Sequence, residues 1–272
     1  TIYAGGMNIH YHDIGEGPPL VMLHSYGLGT TAWITFSKIF AEFSKHFRCI
    51  AMDMHNFAKS GPAVYSEPTH NFQAKTALAL MDALGIEKAH ILGNSQGGQS
   101  SMVFAYKYPE RVNKLVWGAG HIGTGGAYEG EYMFTVRPEA SSLINREAAE
   151  NPTPENIRRY LSYHIRDENL ITDDLVEYIR ASYTGRPDLA EARAQSRGAS
   201  YNHVHDMMNI KAPTLMVWGR YDRTCNFEIG INSLNHIENS RLVILHCGHW
   251  VPFEKPEEYT AHVLNFLTSD WA

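Results

Sequence analysis

The amino-acid sequence predicts an α/β protein with a mostly parallel central sheet flanked by helices. Short apolar runs, typical of strands buried on both faces, alternate with helical patterns. One long stretch, residues 121–209, interrupts this alternation and contains only helical segments. We therefore expect one sheet domain, formed by residues 1–120 and 210–272, with a helical lid, residues 121–209, inserted before the last two strands.

The first strand is predicted at Met7–Asp13, before a turn rich in glycine and proline. Six more strands are predicted at Leu20–His24, Arg48–Asp53, Ala89–Gly93, Lys114–Trp117, Thr214–Trp218 and Arg241–Leu245. Helices of the sheet domain are predicted at Asn71–Leu84, Gln99–Tyr108 and Pro256–Leu267. Ligands of open α/β sheets bind at the carboxyl ends of the strands, so we expect the lid to cover that edge.

Within the lid, the clearest helical segments are Pro154–Tyr163 and Asp173–Tyr183. Proline is favoured at the first helical position, and Thr153 before it is a candidate N-cap. Residues 121–209 are too many for one crossover between neighbouring strands, which is why we interpret this segment as a lid.

Composition restricts the class of partner. The 272 residues carry a net charge of −6, which disfavours binding to nucleic acid. No apolar run approaches the roughly 20 residues of a membrane-spanning helix, and the first residues lack the order of a signal peptide. Three cysteines without CxxC spacing favour a reducing compartment, and we expect a cytoplasmic protein that acts on a small molecule.

The motif with the clearest chemistry is Gly93-Asn94-Ser95-Gln96-Gly97. This G-x-S-x-G follows a predicted strand and precedes a helical run. Small residues two positions before and after the serine let a tight strand-to-helix turn lift its hydroxyl into a site. The sequence therefore predicts that Ser95 is a nucleophile.

A serine hydroxyl needs a histidine base, and the base needs an orienting carboxylate. Asp222 follows the strand TLMVWG, and His249 follows the strand RLVILH. Both positions lie at strand carboxyl ends, the same sheet edge as Ser95, in the chain order Ser, acid, His. We predict a catalytic triad of Ser95, Asp222 and His249.

Two backbone amides are expected to form an oxyanion hole. Gln96 directly follows the nucleophile at the start of a helix, so its amide is one donor. The second is expected in the loop after the strand Leu20–His24, most simply at Tyr26.

Other groups of residues in the sequence do not predict a metal or cofactor site. His10 with His12, and His203 with His205, lack a third group that would complete a metal site, and we expect His10 and His12 to face solvent. No nucleotide-binding glycine motif occurs, so neither a metal nor an organic cofactor is implied.

Several stretches resemble the α/β-hydrolase superfamily and, within it, the meta-cleavage product hydrolases of bacterial aromatic degradation. The matching stretches are Gly93–Gly98, Asp167–Glu177 with Arg180 just beyond, Trp218–Arg223 and Cys247–Trp250. The resemblance implies an α/β-hydrolase fold, hydrolysis of a carbon–carbon bond in a 2-hydroxy-6-oxo-dienoate, and substrate contacts from Asn94, Arg180 and Trp250. It also allows a homodimer formed through the lid.

Two departures leave alternatives open. The oxyanion loop reads His24-Ser25-Tyr26-Gly27-Leu28-Gly29, where the family commonly has His-Gly-x-Gly-Pro-Gly, and Gln96 replaces a common methionine. The bulky Tyr26 is more typical of esterases, so a carboxylesterase acting on aromatic-acid esters such as monoalkyl phthalates is the main alternative. A hydrolase-fold receptor that binds a small ligand with little turnover is a further one.

Overall fold

A seven-stranded sheet forms the centre of the protein, as seen in a computed structural model that describes residues 1–124, 140–199 and 201–270. The described residues contain eleven strands, seven in this sheet and four in two separate pairs: β1 (Ile2–Ala4), β2 (Met7–Ile9), β3 (Tyr11–Ile14), β4 (Pro19–Leu23), β5 (Arg48–Met52), β6 (Ala89–Asn94), β7 (Val112–Gly118), β8 (Gly123–Thr124), β9 (Tyr201–Asn202), β10 (Thr214–Gly219) and β11 (Ser240–Leu245). The order in the sheet is β11-β10-β7-β6-β4-β5-β3. Within this seven-stranded sheet, only β3 runs antiparallel to its neighbour, which confirms the predicted mostly parallel sheet.

Ten α-helices lie in the described parts of the chain. They are α1 (Ala32–Phe43), α2 (Thr69–Ala83), α3 (Gln96–Lys107), α4 (Ala140–Glu150), α5 (Pro154–His164), α6 (Asp173–Thr184), α7 (Pro187–Gln195), α8 (Glu228–Leu234), α9 (Val251–Glu254) and α10 (Pro256–Thr268). Among these described helices, none combines the length and the apolar character that crossing a bilayer requires.

Alternate residues of the buried strands supply two separate cores, one on each face of the sheet. In β4, Val21 and Leu23 pack toward α2 and α3, whereas Leu20 and Met22 pack toward α1 and α10. This follows from the two-residue period of a strand. Both faces are apolar because helices cover both, which is why the strands are continuous hydrophobic runs in the sequence.

The predicted opening strand Met7–Asp13 is wrong as a single element. It is divided at His10 into β2, which pairs with β1, and β3, which pairs with β5. The amide of His10 donates to Ser60 Oγ at 2.8 Å, and its Nδ1 lies 2.7 Å from Asp53 Oδ2. Both His10 and His12 are half-buried, and do not face solvent as expected.

Helices α4 to α7 occupy the sequence between β7 and β10, where the helical lid is predicted; residues 125–139 and 200 of that segment lie outside the described residues. Thr153 caps α5 as predicted, because its Oγ1 accepts from the amide of Asn156 at 3.2 Å. The expectation that this segment has no strand is wrong, since β8 and β9 form a short antiparallel pair.

Candidate active site

Ser95 is the single residue between β6 and α3 and forms the turn that joins them. Its φ of 58° lies in the left-handed region, which is unfavourable for a side chain with a Cβ. The amide of Ser95 donates to the carbonyl of Gly118 at 2.8 Å, and its carbonyl accepts from Gln99 at 2.9 Å. These bonds hold the strained turn that places the serine side chain at the carboxyl edge of the sheet.

Two glycines make this turn sterically possible. A Cβ on Gly93 would collide with the backbone of Gly97, and a Cβ on Gly97 would collide with the carbonyl of Leu23. The turn also explains why α3 begins at Gln96, three residues earlier than predicted. Its first residue is therefore adjacent to the serine.

Ser95, His249 and Asp222 form a continuous hydrogen-bonded series. His249 Nε2 lies 2.8 Å from Ser95 Oγ, and His249 Nδ1 lies 2.7 Å from Asp222 Oδ2. The other carboxylate oxygen of Asp222 accepts from the amides of Thr224 and Cys225, each at 2.8 Å. An ionised Asp222 keeps the proton of neutral His249 on Nδ1, so Nε2 can accept the serine proton.

A cavity of about 540 Å³ opens above these residues. Ser95 and His249 lie at its sheet side, and helices α4 to α7 contribute Asn145, Tyr160, Tyr183 and Arg193 from the opposite side. A cavity of this size and position is typical of a small-molecule site.

Both predicted oxyanion residues border the cavity. The amide of Gln96 lies at the N-terminus of α3, where the helix dipole favours negative charge. The side chain of Tyr26 is 54% exposed, and its ring meets the edge of Phe57 at 5.5 Å between centroids. Tyr26 therefore adds an aromatic ring and a hydroxyl group to the wall of the cavity that Ser95 also borders.

The structure does not place the three predicted substrate-contacting residues on the described wall of the cavity. Asn94 is buried, and its amide donates to Ser25 Oγ at 2.9 Å and to the carbonyl of His249 at 3.3 Å. Trp250 is buried against helices α4 to α6 and meets Phe253 edge-on at 5.8 Å. Asn94 and Trp250 are thus held by hydrogen bonding or packing away from the described cavity wall, and their predicted substrate contacts stay predictions.

Arg180 lies on the outer side of α6, away from the described cavity wall. Its Nη2 lies 2.7 Å from Glu177 Oε1, and both side chains are substantially exposed. The buried stripe of α6 is formed by Leu175, Val176 and Ile179, so a residue one position further along the helix turns away from the interior.

Arg193 on α7 is the cation that sequence reasoning missed. It is the one lysine or arginine among the described residues of the cavity wall, and no aspartate or glutamate is found there. Its guanidinium donates to the carbonyl of Asn56 and lies 5.5 Å from the ring centroid of Phe57. No motif surrounds Arg193 in the sequence, and only the packing of the lid brings it to the site.

Two wall histidines are held neutral by their surroundings. Burial lowers the pKa of His70 and of His164 to about 3. His70 Nδ1 lies 2.9 Å from Ser100 Oγ, which in turn donates to the carbonyl of Gln96 at 2.9 Å. The described residues contain no cluster of three or more metal-binding side chains.

The comparisons with known proteins agree with this geometry. Residues 18–125 match a family model described as alpha/beta hydrolase fold. A 2-hydroxy-6-oxononadienedioate/2-hydroxy-6-oxononatrienedioate hydrolase of Burkholderia vietnamiensis is 33% identical over 268 residues, which cover 96% of this chain and 91% of that protein. This chain belongs to the α/β-hydrolase family.

Other α/β-hydrolases show the same likeness. A Comamonas testosteroni enzyme with the same name is 35% identical, over 99% of this chain and 95% of its own length. The solved structure of a meta-cleavage product hydrolase from Pseudomonas fluorescens superposes with a TM-score of 0.81 at 26% identity, covering 97% of this chain and 95% of that one. The family resemblance drawn from the sequence motifs is thereby confirmed.

Proposed function

We propose that this α/β-hydrolase uses Ser95, His249 and Asp222 to hydrolyse a carbon–carbon bond in a 2-hydroxy-6-oxo-dienoate. The observation that carries the serine chemistry is the buried series Ser95 Oγ, His249 Nε2, His249 Nδ1, Asp222 Oδ2, with links of 2.8 and 2.7 Å. The observation that favours the bond is the near full-length likeness to hydrolases of such compounds.

The serine reaction follows from the geometry. Ser95 Oγ attacks a carbonyl carbon while His249 Nε2 takes its proton and Asp222 stabilises the imidazolium. The amides of Gln96 and Tyr26 are the proposed donors to the oxyanion. His249 then gives the proton to the leaving group, and water releases the acyl group from Ser95.

In a dienoate, the attacked carbonyl is the 6-oxo group. The family resemblance implies that the dienol first becomes a ketone, with its hydroxyl proton moved to carbon and His249 assisting. Breaking the bond between C5 and the 6-oxo carbon then delocalises the electron pair of that bond onto the new ketone oxygen, so that the fragment departs as an enolate. This makes the departing fragment a leaving group that His249 can protonate.

Arg193 supports an acidic substrate. A guanidinium in a partly desolvated cavity without a described carboxylate beside it attracts an anion, and its fork geometry suits a carboxylate. We assign to Arg193 the role that the sequence resemblance gave to Arg180.

Ester hydrolysis is the second candidate, and the specific observation in its favour is Tyr26. Its bulky ring borders the same cavity as Ser95, in a loop whose sequence departs from the one common in the family, and it would narrow the space at the acyl site. A monoalkyl phthalate would still offer its free carboxylate to Arg193 and its alkyl group to the apolar wall.

Steady-state turnover of three compounds tests this proposal. They are a 2-hydroxy-6-oxo-dienoate, a monoalkyl phthalate and a neutral p-nitrophenyl ester. Rapid loss of the dienoate absorbance supports carbon–carbon hydrolysis, whereas ester turnover with an inert dienoate supports the esterase. Binding without turnover of any of them would contradict both and favour a receptor.

A further inference from the structure

His164, the last residue of α5, borders the cavity and has one unprotonated ring nitrogen. Its Nδ1 lies 2.8 Å from the carbonyl oxygen of Tyr160, and because a carbonyl can only accept, Nδ1 must carry the ring proton. Burial keeps the ring neutral by lowering its pKa to about 3. Nε2 is therefore a hydrogen-bond acceptor at neutral pH.

This acceptor lies beside the catalytic histidine. His164 borders the same cavity as Ser95 and His249, and the centroids of the two imidazole rings are 5.6 Å apart. The amide of His249 donates to the carbonyl of His164 at 2.7 Å, which fixes the two residues relative to each other. No partner for Nε2 of His164 is seen in residues 1–124, 140–199 and 201–270.

We propose that His164 is a positioning residue that orients the hydrolytic water together with His249. The proposal rests on the serine hydrolase function proposed above. Water is the one co-substrate that every hydrolase of this kind needs next to its base, whichever bond is cut. With the ring centroids 5.6 Å apart, one water molecule can bridge the two Nε2 atoms if both face the cavity.

The deacylation step shows why two acceptors are useful. One O–H of the water donates to His249 Nε2, and the other donates to His164 Nε2. With both hydrogens fixed, an oxygen lone pair can face the acyl carbon. The oxygen then bonds to that carbon, its first proton passes to His249, and the bond to Ser95 Oγ breaks as the serine regains a proton from His249.

Competition between water and methanol tests this role. Methanol has a single O–H, which His249 can accept, so it loses no hydrogen bond when His164 is removed. With a p-nitrophenyl ester and added methanol, we expect His164→Phe to raise the ratio of methyl ester to free acid about tenfold, as expected for the loss of one hydrogen bond from water alone. Because the ratio is set after acylation, it does not depend on which step limits the overall rate.

Matched variants separate positioning from general damage. His164→Gln keeps an acceptor on a side chain of similar reach and should restore the wild-type ratio, and His164→Ala should behave like His164→Phe if the phenylalanine variant does not fold. Tyr183→Phe removes a hydroxyl from another part of the cavity wall and should leave the ratio unchanged. An unchanged ratio in both His164→Phe and His164→Ala would overturn the proposal while the hydrolase function stands; a wild type that turns over neither the p-nitrophenyl ester nor a 2-hydroxy-6-oxo-dienoate would instead count against that function.

Discussion

The backbone amide of His249 donates a 2.7 Å hydrogen bond to the carbonyl oxygen of His164, so the loop that carries the base is joined directly to the lid. A carboxylate reinforces this junction. Glu254 accepts from the amide of Gly248 at 2.9 Å with one oxygen and from the amide of Arg166 at 2.9 Å with the other. The position of the base therefore depends on the lid as well as on the sheet.

Glu254→Gln tests this dependence. The amide nitrogen of glutamine cannot accept, so one of the two backbone donors loses its partner in a buried place, at a cost of about 1–3 kcal/mol. We expect a lower melting temperature and a lower kcat with little change in KM. Glu258→Gln on the exposed side of α10 is the control, and equal effects of the two substitutions would argue against a specific junction.

Asn94→Ala distinguishes two roles of this residue. The structure has Asn94 holding Ser25 and the carbonyl of His249, so the substitution should lower kcat by about tenfold and leave KM nearly unchanged. A raised KM with an unchanged kcat would instead support the direct substrate contact that the family resemblance implies.

Arg193→Gln and Arg180→Gln form a matched pair. Only Arg193 borders the cavity, and Arg180 is paired with Glu177 at the surface. For a substrate with a free carboxylate, we expect Arg193→Gln to raise KM about 10- to 100-fold, the range for a charged hydrogen bond, and to have little effect with a neutral ester. Arg180→Gln should change neither value, and the reverse pattern would restore the sequence-based assignment.

Buried neutral histidines predict how stability responds to pH. Burial lowers the pKa of His90 to about 4, as it lowers the pKa of His70 and His164 to about 3. The unfolded chain binds these protons near pH 6.5 and the folded chain does not. The contribution of these histidines to the free energy of unfolding should therefore be constant above about pH 7. Below pH 6.5, the free energy of unfolding should fall as pH decreases.

Urea unfolding between pH 7.5 and 5.5 measures this loss. His90→Leu should make the decrease shallower by roughly 1.4 kcal/mol per pH unit well below pH 6.5, the contribution of one histidine. His262→Gln, on the exposed face of α10, should leave the slope unchanged. A slope that His90→Leu does not alter would contradict the assignment of a neutral buried ring.

The sequence was informative where backbone geometry dictates residue type. Ser95 could be found because its strained turn excludes side chains at Gly93 and Gly97, and Asp222 and His249 because strand ends in a parallel sheet converge at one edge. The strand ends were predicted within two residues for most strands of the sheet. The division at His10 was missed because it depends on hydrogen bonds to residues about fifty positions away.

Residues of the lid were harder to assign because helix packing decides which of them face the cavity. Arg180 and Ile179 are neighbours in sequence, yet only Ile179 is buried, with its carbonyl against the loop at Gly29. His164 was one histidine among fifteen, and neither it nor Arg193 lies in a motif. Their positions follow from how α5 and α7 lie over the sheet, which local sequence patterns do not report.

The central claim is that Ser95 drives carbon–carbon hydrolysis. The most direct measurement is the loss of absorbance of a 2-hydroxy-6-oxo-dienoate with wild-type enzyme and with Ser95→Ala, after circular dichroism has shown that both are folded. We expect wild-type turnover and a decrease of at least about 10³-fold in kcat for Ser95→Ala, because the nucleophile is lost. Near wild-type hydrolysis by Ser95→Ala, or an inert dienoate beside rapid Ser95-dependent ester hydrolysis, would contradict the account.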